Sequence, residues 1–192
     1  MWSVVTTSAP ATEPITLAEA KLHLRVDSSD DDDLITAQIS AAREYVEAAT
    51  GRALVQRTVA LRLDAFPAGD IVLPLGRAVS VSSIGYIDTA GAAQTLAGGL
   101  YSADVNAQPA RIAPAYGESW PSTRAQTAAV TVTFVAGYGA AAAVPAAAVV
   151  AIKLLVAHWY ESREAVVVGT ISGPLPMAVD ALCAALRLRD QR

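Results

Sequence analysis

The feature that most constrains this chain is a double change in the period of its apolar residues. From Thr16 to Thr50 they recur every three to four positions, from about residue 54 to 137 they alternate with polar ones, and after Pro145 the longer period returns. A period near 3.6 lines apolar side chains along one stripe of a helix, and a period of two puts them on one face of a strand. A chain written this way is α+β: an antiparallel helical bundle of about four helices, with an antiparallel β module inserted between the second and third long helices. The expected division is 1–53 as an N-terminal helical part, 54–138 as the inserted β module and 139–192 as the C-terminal helical part completing the bundle, one domain overall. At 192 residues the chain can bury about 70% of its unfolded surface, so it needs no disulfide or metal to fold.

Local signals place the elements. Thr16-Leu-Ala-Glu19 is a capping box, in which each side chain satisfies an amide of the other, and it predicts a helix from Leu17 to about Leu24. Asp27-Ser-Ser-Asp-Asp-Asp-Asp33 predicts a second helix from about Asp30 to Thr50, with Ser28 or Ser29 as cap, aspartates at its positive end and Gly51 as its stop. Its stripe is Ile35, Ile39, Ala42, Val46 and Ala49, with Arg43, Glu44 and Glu47 falling elsewhere. Val59, Leu61 and Leu63 then alternate with Ala60, Arg62 and Asp64, and further strands read at Ile71–Leu73, Val79–Ile87, Ala92–Leu96 and Val130–Val135. Residues 106–126, with Pro109, Pro114, Gly117 and Pro121, read as a long loop. Pro145 opens a third helix ending near Arg163, with Ala148, Ile152, Leu155 and Trp159 as its core stripe. After the apolar run 165–171 and the Gly173-Pro-Leu-Pro176 break, a last helix is expected from Met177 to about Leu188.

Composition and motifs exclude much. The formal charge of −4 with 17% charged residues does not suit a protein that grips nucleic acid by neutralising phosphates. The opening residues lack a basic region followed by an apolar stretch, so no secretory signal is expected. The run from Ala140 to Ala157 holds Pro145 and Lys153 and is mostly alanine, which predicts a buried helix rather than a membrane span. Counting a calcium loop from Asp27 puts Asp32 where glycine is needed and Gln38 where the closing glutamate belongs, so the aspartates read as helix capping and a solvated face. Val135-Ala-Gly-Tyr-Gly139 reads as a strand end with a glycine turn. His23 and His158, the two histidines, are too few for a histidine metal cluster. Ser119 lacks the second glycine of a nucleophile elbow, Ser162 merely follows His158 by one helical turn, and Glu161 and Glu164 suit surface ion pairs. Cys183 sits among alanines and leucine as a small buried thiol. No catalytic residue, metal or cofactor is expected.

Ile15-Thr-Leu-Ala-Glu-Ala-Lys-Leu-His-Leu-Arg-Val26, the acidic cap, and Ala41-Ala-Arg-Glu-Tyr-Val-Glu-Ala-Ala-Thr-Gly51 resemble the head–tail connector (adaptor) family of long-tailed phages, prophages and gene transfer agents. The resemblance continues, in order, through Ala115-Tyr-Gly-Glu-Ser-Trp-Pro121, Val130–Gly139 and His158–Ala165. It implies a virion structural protein of the neck, assembled in the host bacterial cytoplasm. Copies would form a twelve-fold homo-oligomeric ring beneath the portal protein, with a downstream neck or tail-completion protein on the other side, DNA passing through the lumen, and no membrane.

Val166, Val167 and Val168, with Leu175, are not needed by a bundle that already has a stripe on each helix. With Leu186, Arg187, Arg189 and Arg192 they form the expected partner-binding set, and the portal is the expected partner. Against this stand valines that merely close the core and a solvated basic tail. The alanine-rich helix faces suit packing within the bundle or between copies. Two other readings remain at this stage: a non-viral binding module whose β insertion holds a ligand or protein, and a hydrolase built around Ser119 or His158.

Overall fold

Local signals and distant contacts compete at the first two helices, and the outcome sets the helical half of the fold. The structure is a computed structural model describing residues 2–162 and 177–188. It divides into two compact units, one comprising Met1–Ala11 and Val55–Tyr138, the other Thr12–Leu54 and Gly139–Arg192.

The helical unit holds α1 (Leu17–Leu24), α2 (Asp32–Thr50), α3 (Ala146–Glu161) and α4 (Met177–Leu186). The capping box forms as expected: the Glu19 amide donates to Thr16 Oγ1 at 3.2 Å, and the Thr16 amide donates to Glu19 Oε2 at 2.8 Å. The Thr16 amide foremost, and then the Thr16 hydroxyl donating to the same Glu19 oxygen at 3.0 Å, hold the Glu19 carboxyl below the usual glutamate range. α2 starts two residues later than expected, and its capping differs. Asp31 holds the N-cap position without a side-chain cap bond. Its carboxylate accepts the Tyr160 hydroxyl at 2.7 Å, and Asp32 pairs with Lys21 at 2.6 Å. The aspartates thus tie α2 to α3 and α1, because a partner on a neighbouring helix supplies the donor that a local cap would have offered.

Ile35, Ile39, Ala42 and Val46 are buried as the stripe predicts, while Ala49 is half-buried. α3 buries Ala148, Ala151, Ile152, Leu155 and Val156. Trp159, expected in that stripe, is half-buried near the helix end. α4 adds Val179 and Cys183 to the core, and burial pushes the Cys183 thiol up. α3 packs on α1, α2 and α4, and α2 also meets α1 and α4. Each fully buried Ile, Leu or Val contributes about 1.5–3 kcal/mol.

The β unit holds β1 (Trp2–Thr6), β2 (Arg57–Leu63), β3 (Ile71–Val72), β4 (Ala78–Ile87), β5 (Ala93–Thr95), β6 (Tyr101–Asp104), β7 (Arg111–Pro114) and β8 (Val130–Ala136). A five-stranded sheet runs β1-β2-β8-β4-β5 and a three-stranded one β3-β7-β6, with every pair antiparallel. Leu61 pairs with Val132 and Val132 with Ile84, and two residues along Val59 pairs with Phe134 and Phe134 with Val81. These rows share one face and, apart from half-buried Val81, are buried. The intervening row of Arg62, Thr131 and Gly85 faces the other way and is at least half-exposed. Ala60, read as solvent-facing, is buried.

Three strands were not legible. β1 lies ahead of the first helix, where no element was expected, and pairs with β2 along its full length from Trp2 opposite Leu63 to Thr6 opposite Val59. β6 and β7 pair with each other, and β7 lies inside the segment expected to be a loop. Gly137 has a φ of +114°, and a Cβ there would lie 2.7 Å from the Val55 carbonyl carbon and oxygen. Only glycine permits that approach of two backbones.

Candidate assembly surfaces

Arg43 and Glu47 were expected away from the core, yet they are 7% and 6% exposed. An arginine and a glutamate four apart on a helix face each other, and the Arg43 Nη1 to Glu47 Oε2 distance is 3.0 Å. What the i,i+4 spacing could not reveal is the third member, Glu13, thirty residues away, whose carboxylate takes Arg43 Nε at 2.8 Å and the Ser40 hydroxyl at 2.8 Å. Glu47 Oε1 also accepts the Leu54 amide at 2.8 Å. The cluster binds the segment entering α1 and the segment leaving α2 to the α2 surface. Desolvation alone would lower the Arg43 pKa, but bonds and charge from Glu13 and Glu47 outweigh it and leave the group above the usual arginine value. The cluster is structural, a cation between two carboxylates with no reacting atom.

The outer surfaces are better placed to do something. In the β unit, Trp120 stacks on Phe66 at 5.0 Å with a 6° interplanar angle, and its indole N–H donates to the Gly69 carbonyl at 2.8 Å. Tyr86 meets Phe66 edge-on at 5.7 Å. This anchors the loop that Ala115–Pro121 forms after β7. The Glu118 amide closes a turn onto the Ala115 carbonyl at 2.9 Å, with Gly117 at φ +81° as the third residue of a type II turn requires. Tyr116, at the tip, is 107% exposed. In the helical unit, an open groove runs along α1 between Leu17, Leu22 and Val26, with Lys21, Arg25 and Asp27 beside it. Leu22 is 81% exposed.

Of the expected partner-binding set, Val166, Val167, Val168, Leu175, Arg189 and Arg192 lie outside the described residues. Leu186 is half-buried, with its carbonyl accepting Arg52 Nε, and Arg187 is exposed, with its Nε donating to the Ala49 carbonyl at 3.1 Å. Both ends of these bonds belong to the helical unit, so α4 is a bundle helix as well as a candidate contact. Ser119 and His23 are exposed, and His158 is half-buried. Among the described residues no group of three His, Cys, Asp or Glu side chains could hold a metal ion, and no helix is long and apolar enough to cross a membrane.

Comparison with known proteins bears on these surfaces. Residues 14–78 match the family model of the phage gp6-like head–tail connector protein. No curated protein matches the chain. Among solved structures, a chain from the neck of an empty gene transfer agent particle computed with C6 symmetry is 26% identical, with a TM-score of 0.79 over 97% of this chain and 96% of that one. A chain from the virion of a native gene transfer agent particle is 25% identical, also at 0.79, covering 97% and 95%. One from the neck of a native particle computed with C12 symmetry is 27% identical at 0.72, covering 98% and 96%. An α+β chain of this topology, with a sequence match to the head–tail connector model through α1 and α2 and a structural match over nearly its whole length to chains of gene transfer agent particles, is similar to the head–tail connector family. Its role is that of a head–tail adaptor in a phage-like particle.

Proposed function

We propose that this adaptor works by assembly and not by catalysis. Copies close into a ring within the virion neck, twelve-fold as the family resemblance implies, after assembly in the host bacterial cytoplasm. One side of the ring meets the portal protein, the other receives a downstream neck or tail-completion protein, and DNA passes through the lumen. The observation that carries this reading is the match over 97% of the chain to a neck protein of a symmetric particle. The formal charge of −4 supports a conduit, since a wall that neutralised phosphates would hold the DNA it must release.

The portal contact is assigned to Val166, Val167, Val168, Leu175, Leu186, Arg187, Arg189 and Arg192. Deleting everything after Gly173 does not test it cleanly, because the deletion removes buried Val179 and Cys183 with α4. Substituting Val166, Val167 and Val168 together by serine leaves α4 in place.

Light scattering on a sizing column, for the protein alone and mixed with the portal of the same genome, tests the whole reading. A ring-sized species in either sample is the expected result. A monomer indifferent to the portal would favour a binding module instead, and a ring that still binds portal after the triple serine substitution would remove the valines from the contact.

A further inference from the structure

A closed ring of identical copies needs two different surfaces on each copy that fit each other head to tail. The described residues offer one projecting and one receding surface of matching chemistry. The projection is the Tyr116 loop. Its base is fixed by the Trp120–Phe66 stack and the Gly69 bond, and its tip by the Ala115–Glu118 turn. A tyrosine held out on such a base gives up little conformational freedom on docking, which is what makes aromatic anchors effective. The receding surface is the groove along α1, whose apolar walls leave Leu22 in solvent.

We propose that the Tyr116 loop of one copy inserts into the α1 groove of the next. The Tyr116 ring covers Leu17, Leu22 and Val26, its hydroxyl donates to the Asp27 carboxylate, and Glu118 lies against Arg25. Charge supports the match: the loop tip carries the Glu118 carboxylate near the tyrosine, and the groove is flanked by exposed Arg25, while Lys21 is already paired with Asp32. Both surfaces lie outside the cores of their units, so substitution changes assembly without unfolding the subunit.

This inference rests on the ring reading, and its test separates the two. The photoreactive residue p-benzoylphenylalanine is placed at position 116, then in a second protein at position 22. Equal amounts of isotopically light and heavy chains are mixed, assembled alone or on the portal, irradiated, and mapped by peptide mass spectrometry. The expected result is a mixed light–heavy crosslink from position 116 into 17–27, and the reciprocal one from position 22 into 115–121. Tyr116→Ala or Leu22→Ala should raise the concentration for half-assembly by roughly tenfold or more. Glu118→Arg and Arg25→Glu should each weaken assembly and restore it when combined.

Rings whose crosslinks from position 116 or 22 lead to 163–176 of the same copy, to the portal, or to another face of the neighbour would overturn this contact and leave the ring reading standing. Rings unaffected by Tyr116→Ala would do the same. No ring under any condition would overturn both.

Discussion

Replacing Arg43 by methionine tests how the helical unit holds its buried charge. Methionine keeps the unbranched apolar stem of the arginine but removes the cation from between Glu13 and Glu47. Glu47 is 6% exposed, so its carboxylate cannot turn to water, and removing one partner from a buried pair costs about 3–5 kcal/mol. The Glu13 side chain is 28% exposed, so Glu13→Gln, which keeps a neutral acceptor near water, should cost about 1–2 kcal/mol. The assay is urea unfolding at pH 7 followed by helical circular dichroism. With a denaturant slope of about 2 kcal/mol per molar, Arg43→Met should lower the midpoint by about 1.5–2.5 M. Adding Glu47→Gln removes the buried negative charge that Arg43 neutralised while leaving an oxygen for the Leu54 amide, and should recover at least half of that loss. A shift under about 0.5 M, or a double variant no more stable than Arg43→Met, would refute the claim that the loss of Arg43 from the buried Glu47 carboxylate dominates.

Other expectations follow from the same geometry. Gly137→Ala forces a Cβ to within 2.7 Å of the Val55 backbone at a φ of +114°; it should cost about 2–5 kcal/mol, read as the thermal midpoint of the whole chain. Trp120→Ala removes the Phe66 stack and the Gly69 bond and should cost about 1–3 kcal/mol, together with faster amide exchange at Glu118. The Asp88 carboxyl is held below the usual aspartate range, first by the Gln94 side-chain amide and then by the Ala92 backbone amide. A lowered folded value stabilises above the unfolded pKa and is lost as pH falls through the folded one, so Asp88→Asn should flatten the stability loss below about pH 4, seen in urea midpoints at pH 6 and pH 3. Burial pushes the Cys183 thiol up, so iodoacetamide at pH 8.5 should label it slowly in the native protein and quickly in urea.

How much of this was legible varies element by element. α1 was readable to the residue, because its start is a bond between neighbours and its stripe a repeat. The start of α2 was misplaced because Asp31 and Asp32, read as capping and solvated, serve Tyr160 and Lys21. β7 was hidden in a segment broken by three prolines and Gly117, whose composition argued for a loop while its backbone found a partner in β6. The Tyr116 loop was visible only as a motif, since Phe66 and Gly69, which fix Trp120, lie about fifty residues earlier. No local pattern marks such a partner.

By itself the sequence determined the order of helices and most strands, the α1 cap, the glycine that stops α2, and the family resemblance. All of these are written in short spacings or ordered motifs. Only the tertiary structure decided that β1 joins the sheet, that Arg43 and Glu47 go inside, and that Tyr116 and Leu22 stay out. The reason is physical: a period records which face of an element is apolar, but whether a charge is buried or an aromatic exposed depends on what a distant segment brings to it.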